Sequence, residues 1–281
     1  MKWSGRKQSD NVIDRRESSG AGMSTSRRGA GPKLGLGGVV ALGLVVYFLG
    51  GDPRIVLSLL QGQMTQQVGM PSQGQMPRSN FDSDDTKGLV SVTLVDLEDR
   101  WQKIFQSLGR SYAETPLVLF RGATDTACGL GQRASGPFYC PADKRVYLDL
   151  SFMDDLLKLG GKGDFSLAYV VAHEVGHHVQ TLLDPQRMRG RSNQSDAIAI
   201  ELQADCYAGL WAHYANQERD FLEPGDIQEG LATAAAVGDD HIQRSAGQAV
   251  SPESFTHGTS EQRQQAFMQG FRSGDIRGCQ F

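Results

Sequence analysis

The sequence lacks the features of several common protein classes. It contains no Cys-x-x-Cys pair, so the cysteine spacing of zinc ribbons and of thioredoxin-type redox proteins is missing. Its 34 glycines follow no Gly-X-Y period, which excludes a collagen-like chain. Net charge is also small, at −4 over 281 residues. That length allows one or two domains with a substantial buried core.

The small net charge conceals a division along the chain. Residues 1–33 contain eight Lys and Arg against three acids, whereas the remaining residues contain 20 bases and 29 acids. The larger part of the chain therefore lacks the basic excess of a nucleic-acid-binding domain, and we expect no nucleic-acid partner. The polar composition of residues 1–33 predicts a basic, disordered tail.

Residues 34–50 (LGLGGVVALGLVVYFLG) form an apolar run without a charge, and no second run of this kind follows. As a helix they cover about 25 Å, slightly less than a hydrocarbon core, and Lys33 and Arg54 can reach the interfaces. This pattern predicts a single transmembrane anchor. Two alternatives are a buried helix of a soluble domain and a cleaved signal peptide, although Gly50–Pro53 is a poor cleavage site.

The basic flank of this run predicts its orientation. We expect a single-pass protein of the cell membrane with a cytoplasmic N-terminus. The C-terminal part is then extracytoplasmic, which means periplasmic in a Gram-negative cell.

The cysteine content fits export. Four cysteines allow three pairings. We favour Cys128–Cys140, which brackets a turn-rich stretch, and by elimination Cys206–Cys279. The second bridge closes a long loop and is worth about 4 kcal/mol on the chain-entropy model. Four unrelated reduced thiols are the alternative.

Beyond the apolar run, residues 51–88 are rich in Gln, Gly, Met, Ser and Pro and have no periodic apolar face, which predicts a flexible linker. The folded domain is expected over residues 89–281. Its apolar patterns predict a helix through Leu94–Leu108, strands at 117–120, 138–140 and 146–150, and helices at 152–159, 166–183, 195–216, 226–237 and 260–271. Strands and helices in separate runs indicate an α+β fold.

One predicted helix carries the motif His173-Glu174-Val175-Gly176-His177. Residues i and i+4 share a helix face, so both imidazoles can bind one Zn²⁺. Glu174 lies near the metal but off its ligand set, where a general base can act on a water activated by the metal. A buried helix with two hydrogen-bonded histidines is the alternative, but it leaves the Glu174 charge unexplained. His178 faces away, and we expect it to be structural.

The third ligand has to come from another segment, because the metzincin spacing H-E-x-x-H-x-x-G-x-x-H is absent. The next predicted helix contains the largely apolar stretch AIAIELQADCYAGLW, which carries Glu201 and Asp205, again four residues apart. We predict that Glu201 binds the zinc and that Asp205 accepts the N–H of a ligating histidine. Carboxylates on the helix surface are the alternative.

HEVGH followed by ELQAD resembles the Glu-zincins, whose fold places two such helices antiparallel with the metal between them. MKWSGRKQSDNVIDRR, AHEVGHHVQ, ELQADCYAGLWA, VGDDHIQ and HGTSEQR are similar to the pattern of a bacterial family described as "putative neutral zinc metallopeptidases". This resemblance spans nearly the whole chain and is weakest at residues 51–80. It implies a zincin-like fold and peptidase activity, and it supplies no particular substrate.

Peptide hydrolysis at such a site develops negative charge on the carbonyl oxygen, which needs a hydrogen-bond donor or electrophile beyond the metal. His257 is the first candidate because it stands in a Gly-containing loop before a predicted helix. Arg263 is the second candidate and His241 the third.

Two functions from different classes follow. The first is a membrane-anchored zinc endopeptidase that acts on peptide or protein substrates with Glu174 as general base. The second is a catalytically inactive, zinc-stabilised binding or assembly module at the membrane. The sequence favours the first, because a purely structural zinc site does not need Glu174.

Overall fold

The computed structural model describes residues 1–17, 83–132, 136–189 and 193–281. The predicted transmembrane segment 34–50 and most of the predicted linker lie outside these ranges. Among the described helices, none combines the length and the apolar character that a membrane span requires.

The described residues form strands and helices that belong to one unit. The strands are β1 (Val12–Asp14), β2 (Leu117–Phe120), β3 (Ala123–Thr126), β4 (Gly129–Gln132), β5 (Phe138–Cys140) and β6 (Arg145–Asp149). The α-helices are α1 (Asp84–Ser107), α2 (Phe152–Lys158), α3 (Phe165–Leu183), α4 (Pro185–Arg189), α5 (Gln194–Gln217), α6 (Asp226–Ala236), α7 (Asp239–Ser245) and α8 (Ser260–Ser273). Short 3₁₀ helices occupy Pro252–Ser254 and Ile276–Gly278.

Four strands form the main sheet in the order β1-β2-β6-β5. The pairs β1–β2 and β2–β6 are parallel, and β5 is antiparallel to β6. Strand β2 reads LVLF and is buried at every position, as expected of a central strand covered on both faces. Strands β3 and β4 form a separate hairpin. The result is a mixed α+β architecture that is consistent with a zincin-like domain.

Residues 1–17 are part of this domain. Val12 lies opposite Leu117 in the sheet, and the side chain of Asn11 donates a hydrogen bond to Glu98 on α1 at 2.7 Å. The predicted disordered tail is therefore wrong for residues 1–17. Its polar side chains are used in specific pairs with the domain, a use that composition alone does not reveal.

The α-ammonium group of Met1 lies in an acidic cluster. It is 3.0 Å from Asp164 and 2.9 Å from Glu223, and Asp226 follows at 3.5 Å. Burial opposes the charge on this amine, but its hydrogen bonds to Glu223 and Asp164 outweigh burial and raise its pKa to about 10. The carboxylates of Asp164, Asp226 and Glu229 lie close together, and the ammonium group contacts the first two of them.

The contacts of residues 1–17 also constrain membrane topology. Segments that pair in one sheet lie on the same side of a membrane, whereas a single crossing at residues 34–50 separates the two segments that flank it. The predicted topology, with a cytoplasmic N-terminus and an extracytoplasmic domain, stays a prediction, and the pairing of β1 and β2 favours one in which both segments lie on the same side.

Three helices pack closely at the centre of the domain. A Cβ atom on Gly176 of α3 would lie only 3.2 Å from the Cα of Ala204 on α5. Gly209 of α5 and Gly270 of α8 leave no room for a side chain, since each faces backbone atoms of the other helix. Gly176 thus lets HEVGH on α3 approach ELQAD on α5, and Gly209 and Gly270 let α5 approach α8.

Both predicted disulfides are present. Cys128–Cys140 joins the β3–β4 turn to β5, and Cys206–Cys279 joins α5 to the C-terminal segment, with Cα separations of 5.8 and 5.6 Å. The second bridge fixes the chain's last residues to a helix that carries part of the site described below.

The predicted helices and strands agree with the structure to within a few residues, with local differences at their starts. Helix α1 begins at Asp84 with Ser83 as its N-cap, so the predicted linker extends too far. Helix α5 is capped by Asn193. Strands β1, β3 and β4 and helices α4 and α7 were not predicted, because they are short and lack a periodic apolar face.

Candidate metal centre

Two imidazoles and one carboxylate meet between α3 and α5. His173 and His177 project from one face of α3, and Glu201 faces them from α5. The Glu201 Oε2 atom lies 3.2 Å from His173 Nε2 and 3.4 Å from His177 Nε2. All three side chains are buried, and their ligand atoms lie within 4.8 Å of one another. The structure thus brings the three predicted ligands together.

This donor set fits a zinc ion. Two histidine nitrogens and a carboxylate are the protein ligands of one class of catalytic zinc sites, which keep the fourth position for water or substrate. Within the described ranges, no fourth His, Cys, Asp or Glu joins this group. His173, His177 and Glu201 can therefore hold Zn²⁺ with one position open.

Asp205 orients the first histidine. Its Oδ1 atom lies 2.8 Å from His173 Nδ1 and also accepts a hydrogen bond from the hydroxyl of Tyr169. Arg263 donates to both carboxylate oxygens, at 2.8 and 3.0 Å. Because a carboxylate only accepts, His173 keeps a proton on Nδ1, and Nε2 is the ring atom that faces the metal position.

The buried charges of this cluster balance one another. Burial opposes ionisation of Asp205, but Arg263 and His173 hold its pKa at about 2. Burial likewise favours a neutral Glu201, yet His177 and His173 hold the pKa of that carboxyl well below its usual range. Glu201 is therefore an ionised carboxylate, as a zinc ligand must be.

The same carboxylates also shift the pKa of the His173 imidazole. Burial opposes its charge, but Asp205 and Glu201 outweigh burial and raise its pKa to about 10. Zinc binding at His173 therefore displaces a proton, so metal affinity increases with pH.

A side-chain amide orients the second histidine. His177 Nδ1 lies 2.9 Å from Gln180 Oε1, one helical turn further along α3. The amide oxygen accepts the Nδ1 proton, so His177 also directs Nε2 at the metal position. The two histidines thus differ in their support, since His173 has an anionic partner and His177 a neutral one.

Glu174 lies in the wall of a cavity of about 460 Å³ that opens beside these ligands. Most of the wall is apolar. Its apolar and aromatic members are Pro137, Phe138, Tyr139, Pro141, Phe152, Tyr169, Val170, Met188, Val237 and Ile242. The polar members besides the ligands and Glu174 are His257 and Arg263. The Glu174 carboxylate, the candidate metal position and an apolar cavity thus lie side by side.

The structure separates the three candidates for stabilising a carbonyl oxygen. His257 lines the cavity, and its side chain is 49% exposed. Arg263 lines the cavity too, but its guanidinium already donates hydrogen bonds to Asp205 and, at 3.0 Å, to the Val237 carbonyl. His241 Nε2 donates to the Leu159 carbonyl at 2.8 Å, and the residue is absent from the cavity wall. Only His257 keeps the accessibility that the role needs.

His178 has a different environment from its neighbour, as predicted. Its Nε2–H donates to the Ala113 carbonyl at 2.6 Å, and its Nδ1 accepts from the Tyr139 hydroxyl at 3.1 Å. Burial lowers the pKa of this imidazole to about 4. His178 is therefore neutral and structural.

The sequence analysis did not identify the residues that orient the predicted histidines. Tyr169 and Gln180 stand four residues before His173 and three after His177, so helical spacing could have placed them on the right face. Asp239 was not assigned a role at the site. Its carboxylate instead accepts three backbone N–H groups of the loop that carries His257.

Comparison with known proteins supports the same interpretation. Protein YpfJ of Escherichia coli (strain K12) is 46% identical over 289 residues, covering 99% of this chain and 98% of that protein. An uncharacterized protein of Mycobacterium tuberculosis (strain H37Rv) is 40% identical over 212 residues, covering 69% and 71%. No solved structure matches the chain. A family model described as "Putative neutral zinc metallopeptidase" matches residues 1–281, and the chain belongs to that family.

Proposed function

We propose that the protein is a zinc-dependent peptidase that hydrolyses peptide bonds and uses Glu174 as general base. The observation that carries this proposal is the meeting of His173, His177 and Glu201 at one point beside Glu174, in the wall of an open cavity. A zinc site that serves only stability does not need a carboxylate in the wall of an open cavity beside the metal position.

His173, His177 and Glu201 would hold one Zn²⁺, which would supply a Lewis acid for the scissile carbonyl and for a water molecule. Glu174 accepts the proton of the attacking water and delivers it to the leaving amine. His257 donates a hydrogen bond to the carbonyl oxygen as negative charge develops there. The apolar wall receives a side chain of the peptide and excludes water from it.

The wall also supports a substrate class. The described groups that carry charge in the cavity are the metal ligands, Glu174, and two residues that already have acidic partners, His257 and Arg263. Phe138, Phe152 and Ile242 supply broad apolar surface. The substrate is therefore a peptide with a large apolar side chain beside the scissile bond.

We also propose that the domain is extracytoplasmic and membrane-associated. Two disulfides support export, since such bonds persist in oxidising compartments. The apolar run at residues 34–50 supports membrane association. The pairing of residues 1–17 with the domain favours a topology in which both lie on the same side.

The function is tested on the purified full-length chain. Bound zinc is measured by metal analysis, and hydrolysis of a peptide library is compared between wild type, Glu174→Gln and His173→Ala. We expect Glu174→Gln to keep zinc and to lose about 10²–10⁴-fold in kcat, and His173→Ala to lose zinc. Bound zinc with equal hydrolysis by wild type and Glu174→Gln would instead support the inactive binding module.

A further inference from the structure

A line of hydrogen bonds leads away from His177 on the side opposite the metal position. Gln180 accepts from His177 through Oε1, and its Nε2 donates to the Ile200 carbonyl at 2.7 Å and to Gln203 Oε1 at 3.0 Å. The Ile200 carbonyl can only accept, so the amide of Gln180 has one allowed orientation. Both of its hydrogens and its oxygen are used.

The line continues from α5 to the C-terminal segment. Gln203 Nε2 donates to the backbone carbonyl of Cys279 at 2.8 Å. Cys279 is buried and is bonded to Cys206, which follows Asp205 on α5. The disulfide therefore holds the Cys279 carbonyl in place as the last acceptor in this line of hydrogen bonds.

The carbonyls of Ile200 and Cys279 together determine the direction of every hydrogen bond in the line. Because Gln203 uses its NH₂ group on the Cys279 carbonyl, it presents its oxygen to Gln180. Gln180 then presents its NH₂ group to Gln203 and its oxygen to His177. His177 must carry its proton on Nδ1, which leaves the lone pair of Nε2 for the metal. Reversal of either amide would set two donors against each other.

We propose that Gln180 and Gln203 are positioning residues for the metal centre, and that the Cys206–Cys279 disulfide acts through them on zinc affinity. This inference rests on the proposed function, because it concerns the zinc site of the peptidase. Neither glutamine nor the disulfide belongs to the ligand group His173, His177 and Glu201. Their effect passes through the tautomer and orientation of His177.

The contrast with His173 supports a separate role for this line. His173 is oriented by the ionised carboxylate of Asp205, which accepts hydrogen bonds through either oxygen and cannot donate one. A neutral amide can either donate or accept, so the support of His177 depends on what fixes the amide. The carbonyls of Ile200 and Cys279 and the oxygen of Gln203 are those fixed points.

The test measures the zinc dissociation constant of the full-length protein by competition with a chromophoric chelator. Gln203→Met removes the link to Cys279, and we expect about tenfold weaker zinc binding, the lower end of the effect of lost outer-shell partners. Gln269→Met is the matched control, since Gln269 donates to the Gly278 carbonyl of the same segment but has no link to His177. We expect this control to bind zinc as wild type does.

A second substitution separates positioning from general damage. Gln180→Met removes the amide that links Gln203 to His177, so Gln203 can no longer act on that imidazole. In the Gln180→Met background, Gln203→Met should therefore have no further effect on zinc affinity. An equal loss in both backgrounds would show that Gln203 acts only on the packing of the helices and would overturn the proposal.

The disulfide is tested in the same way. We expect the double substitution of Cys206 and Cys279 by Ser to weaken zinc binding by a factor similar to Gln203→Met, and substitution of Cys128 and Cys140 by Ser to leave it unchanged. Unchanged affinity in both Gln203→Met and the Cys206/Cys279 variant overturns the inference. A wild type that binds no zinc overturns the proposed function itself.

Discussion

Asp239 and His257 are joined through both oxygens of one carboxylate. The Oδ2 atom of Asp239 accepts hydrogen bonds from the backbone N–H groups of Thr256, His257 and Gly258 at 2.7, 2.6 and 3.0 Å, and Oδ1 lies 3.3 Å from His257 Nδ1. Burial opposes ionisation of Asp239, but these donors outweigh it and lower its pKa. The first residue of α7 thus fixes the loop that presents His257 to the cavity.

Because Asp239 holds the loop of His257, we expect substitutions at the two residues to lower the rate of hydrolysis through the same step. His257→Ala should lower kcat by about 10²–10³-fold, the usual loss when a donor to a developing oxyanion is removed. Asp239→Asn should lower kcat less, because the loop and the imidazole are only loosened. Zinc content should stay unchanged in both variants.

Steady-state kinetics on a peptide substrate measure both effects. The double variant should be no slower than His257→Ala, since Asp239 acts through His257. Multiplied effects in the double variant would assign Asp239 a separate role.

The apolar wall predicts a preference for large apolar residues next to the scissile bond. We expect kcat/KM for Phe or Leu at that position to exceed kcat/KM for Ala by about 10–100-fold, as differential burial of a few methylenes allows. Ile242→Ser should reduce this preference, because Ile242 is 40% exposed and lines the cavity.

Leu157→Ser is the matched control for Ile242→Ser. Leu157 is equally exposed but lies outside the cavity wall. A peptide series that varies one position measures the ratio in each variant. If both substitutions change the preference alike, or neither does, the cavity does not select the side chain.

His178 predicts a dependence of stability on pH. Its pKa is about 4 in the folded protein against about 6.5 when unfolded, so the unfolded state binds the proton more tightly. The contribution is intact above pH 6.5 and is lost as pH falls through 4. The loss amounts to about 3 kcal/mol.

Urea unfolding in the presence of a chelator measures this contribution without metal release. His178→Gln keeps a donor and an acceptor but cannot titrate, so the free-energy difference between wild type and variant should shrink as pH falls from 7.5 to 4. Parallel stability curves would mean that His178 is already solvated in the folded protein.

The docking of residues 1–17 predicts that the N-terminus and the domain share a compartment. Lys7 and Glu261 are exposed on the two segments. Single cysteines at these positions, in the full-length chain expressed in cells, should react alike with a membrane-impermeant maleimide applied to spheroplasts. Labelling at one position and protection at the other would restore the topology with a single crossing between them.

The metal ligands could be predicted from the sequence because they lie close together along the chain. His173 and His177, like Glu201 and Asp205, are four residues apart, and the helical period alone places each pair on one face. Arg263 was named as the second candidate for stabilising the carbonyl oxygen, whereas the structure pairs its guanidinium with Asp205. Its partner Asp205 lies on another helix, and nothing in the spacing predicts that the two meet.

The sequence does not reveal contacts that depend on distant backbone. Asp239 is one polar residue among several in DDHIQR, and its function arises only when the loop at Thr256 folds over it. Strand β1 is three residues long, and its partner β2 follows far along the chain. Composition indicates disorder for such a segment, whereas tertiary pairing determines its structure.

Strand β1 also bears on the order in which the molecule can form. Val12 is synthesised well before Leu117, and its place in the sheet does not exist until β2 has been made. Closing a chain of about a hundred residues costs about 4 kcal/mol in entropy, so the pairing becomes favourable only when the remaining core already repays that cost. Strand β1 therefore reaches its native position only after β2 and much of the core have formed.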